Sequence, residues 1–129
     1  MAIGHKFHIK PSRDGQFTNT FQYNAEPLVW SETFPTKAGA LNNAKVLKTK
    51  ACLATIIDLT KGETAEGDTI EIDKAKNDEF FVRYRSANNE IVARSETHPD
   101  KRDAINCAES VRDNTANAEI VDKTVSATV

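Results

Sequence analysis

Apolar and polar residues alternate from residue 6. Phe7 and Ile9 lie between Lys6, His8 and Lys10, the period of a half-buried strand. Pro11-Ser12-Arg13-Asp14-Gly15 then turns the chain, with Asp-Gly supplying residues that tolerate positive φ. Residues 16–23 alternate again, with Phe17, Phe21 and Tyr23 on one face beside Asn19, and Thr18, Thr20 and Gln22 on the other. A turn at 24–27 leads into a strand over 28–33, so the pattern predicts an antiparallel three-stranded meander. Past Pro35 the period becomes helical, with Thr36 as N-cap and Ala40, Leu41, Ala44 and Leu47 as the apolar stripe. Residues 53–59 read as a fourth strand, and 61–68, polar with two glycines and no period, as a linker.

The same order then recurs. Ile70 and Ile72 mark a strand and Asn77-Asp78-Glu79 a turn; Phe80, Val82 and Tyr84 share one face of the next strand, with Phe81, Arg83 and Arg85 on the other. Asn88-Asn89 turns the chain into a strand over 91–95. Asp100 caps a helix striped by Ala104, Ile105, Ala108 and Val111, and 118–124 closes the series. Under a shift of 64, 13 of the 35 residues from 26 to 60 are identical, among them Ser31/Ser95, Glu32/Glu96, Lys37/Lys101, Asn42/Asn106 and Asp58/Asp122. Upstream the best shift is 63. The one-residue difference falls in a hairpin turn, where a length change leaves the flanking strands intact. The chain is thus read as one β-β-β-α-β unit written twice: repeat one 5–60, linker 61–68, repeat two 69–124 and a tail 125–129. A unit of that size alone buries little apolar surface, so the two are expected to share one pseudo-symmetric domain.

Composition adds little. The chain is 39% hydrophobic and 28% charged with a net charge of −2, which excludes a globally basic nucleic-acid-binding profile. Residues 1–64 carry eight Lys/Arg and five Asp/Glu (+3), and residues 65–129 carry nine and fourteen (−5). No apolar run approaches a membrane span and no secretion signal opens the chain, so the cytosol is the expected compartment. Cys52 and Cys107 occupy non-equivalent places in the repeats and form no CxxC, which reads as two free thiols.

The residues resemble a known family. Phe7-His8-Ile9, Asp14-Gly15-Gln16-Phe17 and Ser31-Glu32 with Lys37, Ala40 and Asn42, then Asn88-Asn89-Glu90-Ile91-Val92 and Ser95-Glu96 with Lys101, Ala104 and Asn106, are similar to the ordered motifs of the YegP-like family of small tandem-repeat proteins. The resemblance covers residues 6–124. It implies that the two units join in a single antiparallel sheet, with the last strand of each exchanged onto the other. Three positions depart from the pattern: Asn77-Asp78-Glu79 replaces Asp-Gly-Gln, the 24–25 turn is short, and Asn19 stands where a large apolar residue belongs.

Chemistry is sparse. His5, His8 and His98 lack HExxH or paired Cys/His spacing, so neither a metal nor a cofactor is expected. Neither cysteine has a histidine at a catalytic spacing, and no base accompanies Ser31-Glu32 or Ser95-Glu96. Those pairs read as strand ends held by local side-chain to backbone hydrogen bonds, and Asn42 and Asn106 as satisfied asparagines at the helix boundary. The least bland feature is the sheet face opposite the helices. It is expected to carry Phe81, Arg83, Arg85, Arg94 and Trp30, which reads as a solvated surface, a protein interface or a platform for single-stranded nucleic acid, in that order. The expectation is an α+β protein, two β-β-β-α-β units forming one antiparallel sheet with two helices on one face. Its function is expected to be a non-enzymatic binding or protein-interaction module, by a protein partner or self-association and without a membrane. A nucleic-acid-binding sheet is the alternative, and a small enzyme with an unrecognised site ranks third.

Overall fold

A computed structural model describes residues 4–124. The first half runs β1 (His5–Pro11), β2 (Phe17–Tyr23), β3 (Glu26–Trp30), α1 (Lys37–Lys50) and β4 (Thr55–Asp58). The second runs β5 (Thr69–Lys74), β6 (Phe80–Arg85), β7 (Ile91–Arg94), α2 (Lys101–Asn114) and β8 (Glu119–Asp122). The tail over 125–129 lies outside the described residues. Turn chemistry appears where expected: Asp14 and Gly15 sit at φ 58 and 73, and Asp78 and Asn89 at φ 65 and 70. Thr36 Oγ1 accepts from the Gly39 N–H at 3.2 Å, and Asp100 accepts from the Arg102 N–H at 3.1 Å. Both N-caps are those expected from the sequence. The fourth strand is shorter than 53–59, because Ala51–Leu53 and Leu59–Lys61 form 3-10 turns on either side of it.

All eight strands form one sheet in the order β4-β5-β6-β7-β3-β2-β1-β8. The sheet is mixed, which corrects the expectation of a purely antiparallel one. β4 pairs with β5 and β8 with β1, both in parallel. Alternation has the same period in both kinds of pairing, so it carries no direction. Direction follows from connectivity: residues 59–68 carry the chain from the end of β4 back to the start of β5. The end of that segment is anchored, since Asp68 accepts from the buried Tyr84 hydroxyl and, at 2.8 Å, from the Ala87 N–H. Burial and the Asp68 carboxylate push the Tyr84 phenol above its ordinary range.

One face of the sheet holds the core. Phe7, Ile9, Phe21, Val29, Ile70, Ile72, Val82, Tyr84 and Ala93 pack against the small-residue stripes of the helices, Ala40, Ala44 and Leu47 on α1 and Ala104, Ala108 and Val111 on α2. α1 lies over β1 and β2, and α2 over β5 and β6. Alanines let each helix approach the strands closely, so the large side chains come from the sheet.

Two ion pairs fasten the edges. Lys37 Nζ reaches Asp122 at 2.9 Å, and Lys101 Nζ reaches Asp58 at 2.6 Å. Each aspartate also accepts from a threonine two residues on, Thr124 or Thr60, through its backbone N–H and its hydroxyl. The Thr124 hydroxyl and the Lys37 ammonium hold the Asp122 carboxyl at about 2. Burial pushes the Asp58 carboxyl up, but Lys101 and Thr60 together outweigh burial and keep it below its ordinary value. A carboxyl whose folded pKa is depressed stabilises the fold above its unfolded pKa, and that stability is lost as pH falls through the folded one. Melting temperature is therefore expected to fall between about pH 4 and pH 2 in circular dichroism melts. In the Lys37→Met/Lys101→Met variant the same decline is expected to be shallower and to start from a lower plateau.

Candidate functional site

The open face can be read strand by strand from the register. One row crosses all eight strands: Ile57, Glu71, Arg83, Arg94, Trp30, Thr20, His8 and Val121. Trp30 and Arg94 are cross-strand partners at its centre, where β3 meets β7. Around them Trp30, Ser31, Glu32, Phe81, Arg83 and residues 91–94 line a hollow of about 480 Å³. Trp30, Phe81, Arg83 and Arg94 thus meet at one place. Arg85 lies outside it, with Nε on Glu71 at 2.9 Å and a guanidinium N–H donated to Asn89.

The arginines are not equivalent. Glu71, only 5% exposed, takes Arg83 Nε on one oxygen at 3.0 Å and Arg85 Nε on the other at 2.9 Å. Arg83 also reaches Asp73 at 2.9 Å and lies over the Phe81 ring, 5.1 Å from its centroid. On the same side Lys6 pairs with Glu119 at 3.1 Å. Arg94 and Glu32 are exposed, both line the hollow, and neither has an ion-pair partner among the described residues. A face expected to present several cations therefore presents one free arginine and one free carboxylate at its centre.

The repeated serines act across strands. Ser31 Oγ accepts from the Asn19 N–H at 3.0 Å and donates to the Glu32 carbonyl at 2.7 Å. Ser95 Oγ accepts from the Val82 N–H at 2.9 Å and donates to the Glu96 carbonyl at 2.7 Å. Each hydroxyl carries the ladder past the end of its strand, a longer reach than the local bond expected. Glu96 is exposed and is not among the residues that line the hollow.

Asn42 and Asn106 are corrected. Both are exposed on their helices, and their side chains have no hydrogen-bond partner among the described residues. The buried polar positions are their neighbours, Asn43 and Cys107. Asn43 Nδ2 donates to the Val92 carbonyl at 2.9 Å, and Cys107 Sγ donates to the Leu28 carbonyl at 3.5 Å. Asn43 Oδ1 accepts from Asn19 Nδ2 at 2.9 Å, which explains how an asparagine occupies a fully buried sheet position. The sequence signal was a single departure from the pattern, Asn19, and only contact shows that Asn43, 24 residues on, compensates it. Burial, with Glu26 and Glu96 nearby, pushes the Cys107 thiol up to about 12, the range of an inert packed thiol. Cys52 is exposed, and both cysteines are free. Burial lowers the His5 imidazole, and burial with Lys123, Lys10 and Lys6 lowers that of His8. A second groove, about 730 Å³, runs between α1 and β7 and is lined by Asn42, Asn43, Glu32, Asp68, Asn88 and Glu90 among others.

Among the described residues no helix is long and apolar enough to cross a membrane. The arrangement defines a class, an α+β protein with a helix-covered mixed sheet and one open face, and comparison with known proteins places it further. Residues 75–122 match a domain of unknown function, DUF1508. A UPF0339 protein of Caulobacter vibrioides is 38% identical over 58 residues, which are 45% of this chain and 98% of that protein. A UPF0339 protein of Pseudomonas aeruginosa is 25% identical over 119 residues, 92% of this chain and 96% of that one. The solution NMR structure of yegP from E. coli, a protein of unknown function, superposes with a TM-score of 0.72 at 19% identity over 93% of each chain. The chain belongs to the UPF0339 family. The YegP-like resemblance of its motifs is thereby borne out, and these relatives indicate no specific function.

Proposed function

We propose that this chain is a non-enzymatic protein-interaction module whose working surface is the open sheet face around Trp30. The observation that carries the reading is the hollow itself. It joins the Trp30 and Phe81 rings as aromatic walls to Arg94 and Glu32, the mix of aromatic and arginine surface that protein interfaces favour. The partner it fits is a folded protein surface bringing an apolar side chain to the hollow and opposite charges to its rim.

The covalent plan behind this surface is a duplication. We read residues 5–60 and 69–124 as copies of one β-β-β-α-β unit, joined by 61–68 into one pseudo-symmetric domain with C-terminal strands exchanged. Support comes from contacts made twice: Ser31 on the Asn19 N–H matched by Ser95 on the Val82 N–H, and Lys37 to Asp122 matched by Lys101 to Asp58. A cytosolic location agrees with the two free thiols.

A nucleic-acid-binding sheet is the second reading, favoured by the Trp30 and Phe81 rings as stacking surfaces. The pairing of Arg83 and Arg85 with carboxylates counts against it. The two readings separate by photo-crosslinking. A photoreactive phenylalanine analogue in place of Phe81 is expected to capture protein in cells, whereas the same analogue in place of Glu109, exposed on α2, is expected to capture none. Equal capture at both positions, or none at position 81, would overturn the interaction reading.

A further inference from the structure

We infer that the partner of the open face is a second copy of this chain, docked face to face about a two-fold axis so that Arg94 of each copy meets Glu32 of the other. This deepens the preceding proposal and rests on it. The argument begins with charge. Arg83, Arg85 and Lys6 are each satisfied within the chain by Glu71, Asp73 or Glu119, so they exert little net pull on a partner. What remains at the hollow is one cation and one anion, Arg94 and Glu32, on the same concave surface but unpaired with each other.

A surface carrying both signs at fixed positions is complementary to itself under a two-fold rotation. In an isologous interface residue i meets j and j meets i, so a single arginine and a single glutamate form two ion pairs. The axis lies in the plane between the sheets and passes between the Arg94 and Glu32 positions. The aromatic walls then stack over each other, and Trp30 of each copy enters a site closed to water. A strongly charged face would repel its own copy, but here Arg83, Arg85 and Lys6 are paired within the chain, Lys10, without an ion-pair partner among the described residues, stands at the β1 side away from the hollow, and the whole chain carries only −2.

The area suffices. Eight strands about 4.8 Å apart, each about five residues long at about 3.4 Å per residue, span roughly 34 by 17 Å. Face-to-face docking would bury roughly 600 Å² per copy and about 1,200 Å² in all, the lower bound of a specific interface. Aligned packing about 30° apart is the ordinary geometry for two twisted sheets.

Sedimentation velocity across roughly a hundredfold range of concentration tests the inference, with emission from Trp30, the chain's single tryptophan, followed on the same samples. The expected result is a concentration-dependent rise from the 14.3 kDa monomer towards twice that mass, with Trp30 emission moving to the blue. Arg94→Glu and Glu32→Arg, both at exposed positions, are each expected to weaken association by roughly a hundredfold or more, because each places like charges together twice. The double variant Glu32→Arg/Arg94→Glu is expected to regain the dimer. A monomeric mass at every concentration overturns the inference, as does a dimer indifferent to both single reversals or not regained by the double one. Photo-crosslinks from position 81 to a different protein, with a monomeric mass, would sink self-docking while leaving the interaction surface standing. Absence of any adduct would remove both.

Discussion

Replacing Asn43 by alanine is expected to cost about 2–4 kcal/mol of stability, read as a lower midpoint in urea unfolding at unchanged slope. Asn43 occupies a buried place on α1, accepts from Asn19 Nδ2, which has no other partner among the described residues, and donates to the Val92 carbonyl. Truncation leaves the buried Asn19 amide donor dry and opens a small cavity besides. Asn19→Val alone is expected to cost less, about 1–2 kcal/mol, since it abandons only Asn43 Oδ1 and removes an amide whose own Oδ1 already lacks a partner. The double change Asn19→Val/Asn43→Cys is the informative one. It writes into the first half the pair found at the corresponding positions of the second, Val82 and Cys107, where the thiol donates to the Leu28 carbonyl. The double variant is expected to match or exceed the parent, giving a coupling energy of opposite sign to the sum of the singles. A double variant less stable than either single would show that the two halves do not tolerate each other's cores.

The second large effect concerns Glu71. Glu71→Ala is expected to destabilise by about 2–3 kcal/mol, below the range for a fully buried pair because the two arginines are partly solvated. The more instructive variant is Glu71→Gln, which keeps the shape and frees one net positive charge on the face, since Arg85 loses its carboxylate while Arg83 keeps Asp73. In the parent, anisotropy of labelled single-stranded DNA or RNA is expected to stay flat even at low salt. In Glu71→Gln, binding is expected to appear and to fall with salt at a log–log slope of about −0.7, that of one phosphate contact on a single strand. Strong, salt-sensitive binding by the parent would reverse the ranking of the two functional readings. A stable Glu71→Gln that binds nothing would instead show that carboxylates are not what silences the face.

These variants also mark where the sequence was legible. Local chemistry was readable: the positive-φ turns at Asp14-Gly15 and Asn89, the caps Thr36 and Asp100, and the alternation that sends Phe7, Ile9, Val82 and Tyr84 inward. Each depends on residues within one turn or one strand of each other, the range over which spacing alone sets geometry. The open face was legible to the same depth. Period two places Phe81, Arg83 and Arg85 opposite the core, and the shift of 64 makes Trp30 and Arg94 counterparts.

Other properties needed contacts between distant residues. Parallel pairing of β4 with β5 and β8 with β1 leaves no mark on alternation, because a strand's period is the same whichever way its neighbour runs. Asn19 looked like a flaw in the core until Asn43, 24 residues on, was seen to hold it. Arg83 and Arg85 looked like free cations, because the carboxylates that neutralise them sit on β5, brought alongside only by sheet register. Which elements form, and which face of each is apolar, follow from backbone sterics and side-chain spacing and can be read from the residues alone. Tertiary structure alone decided strand direction, the repair of buried polar groups and the charge left free at Arg94 and Glu32. Those depend on pairing across the sheet, and one chain position carries no record of what will lie opposite it.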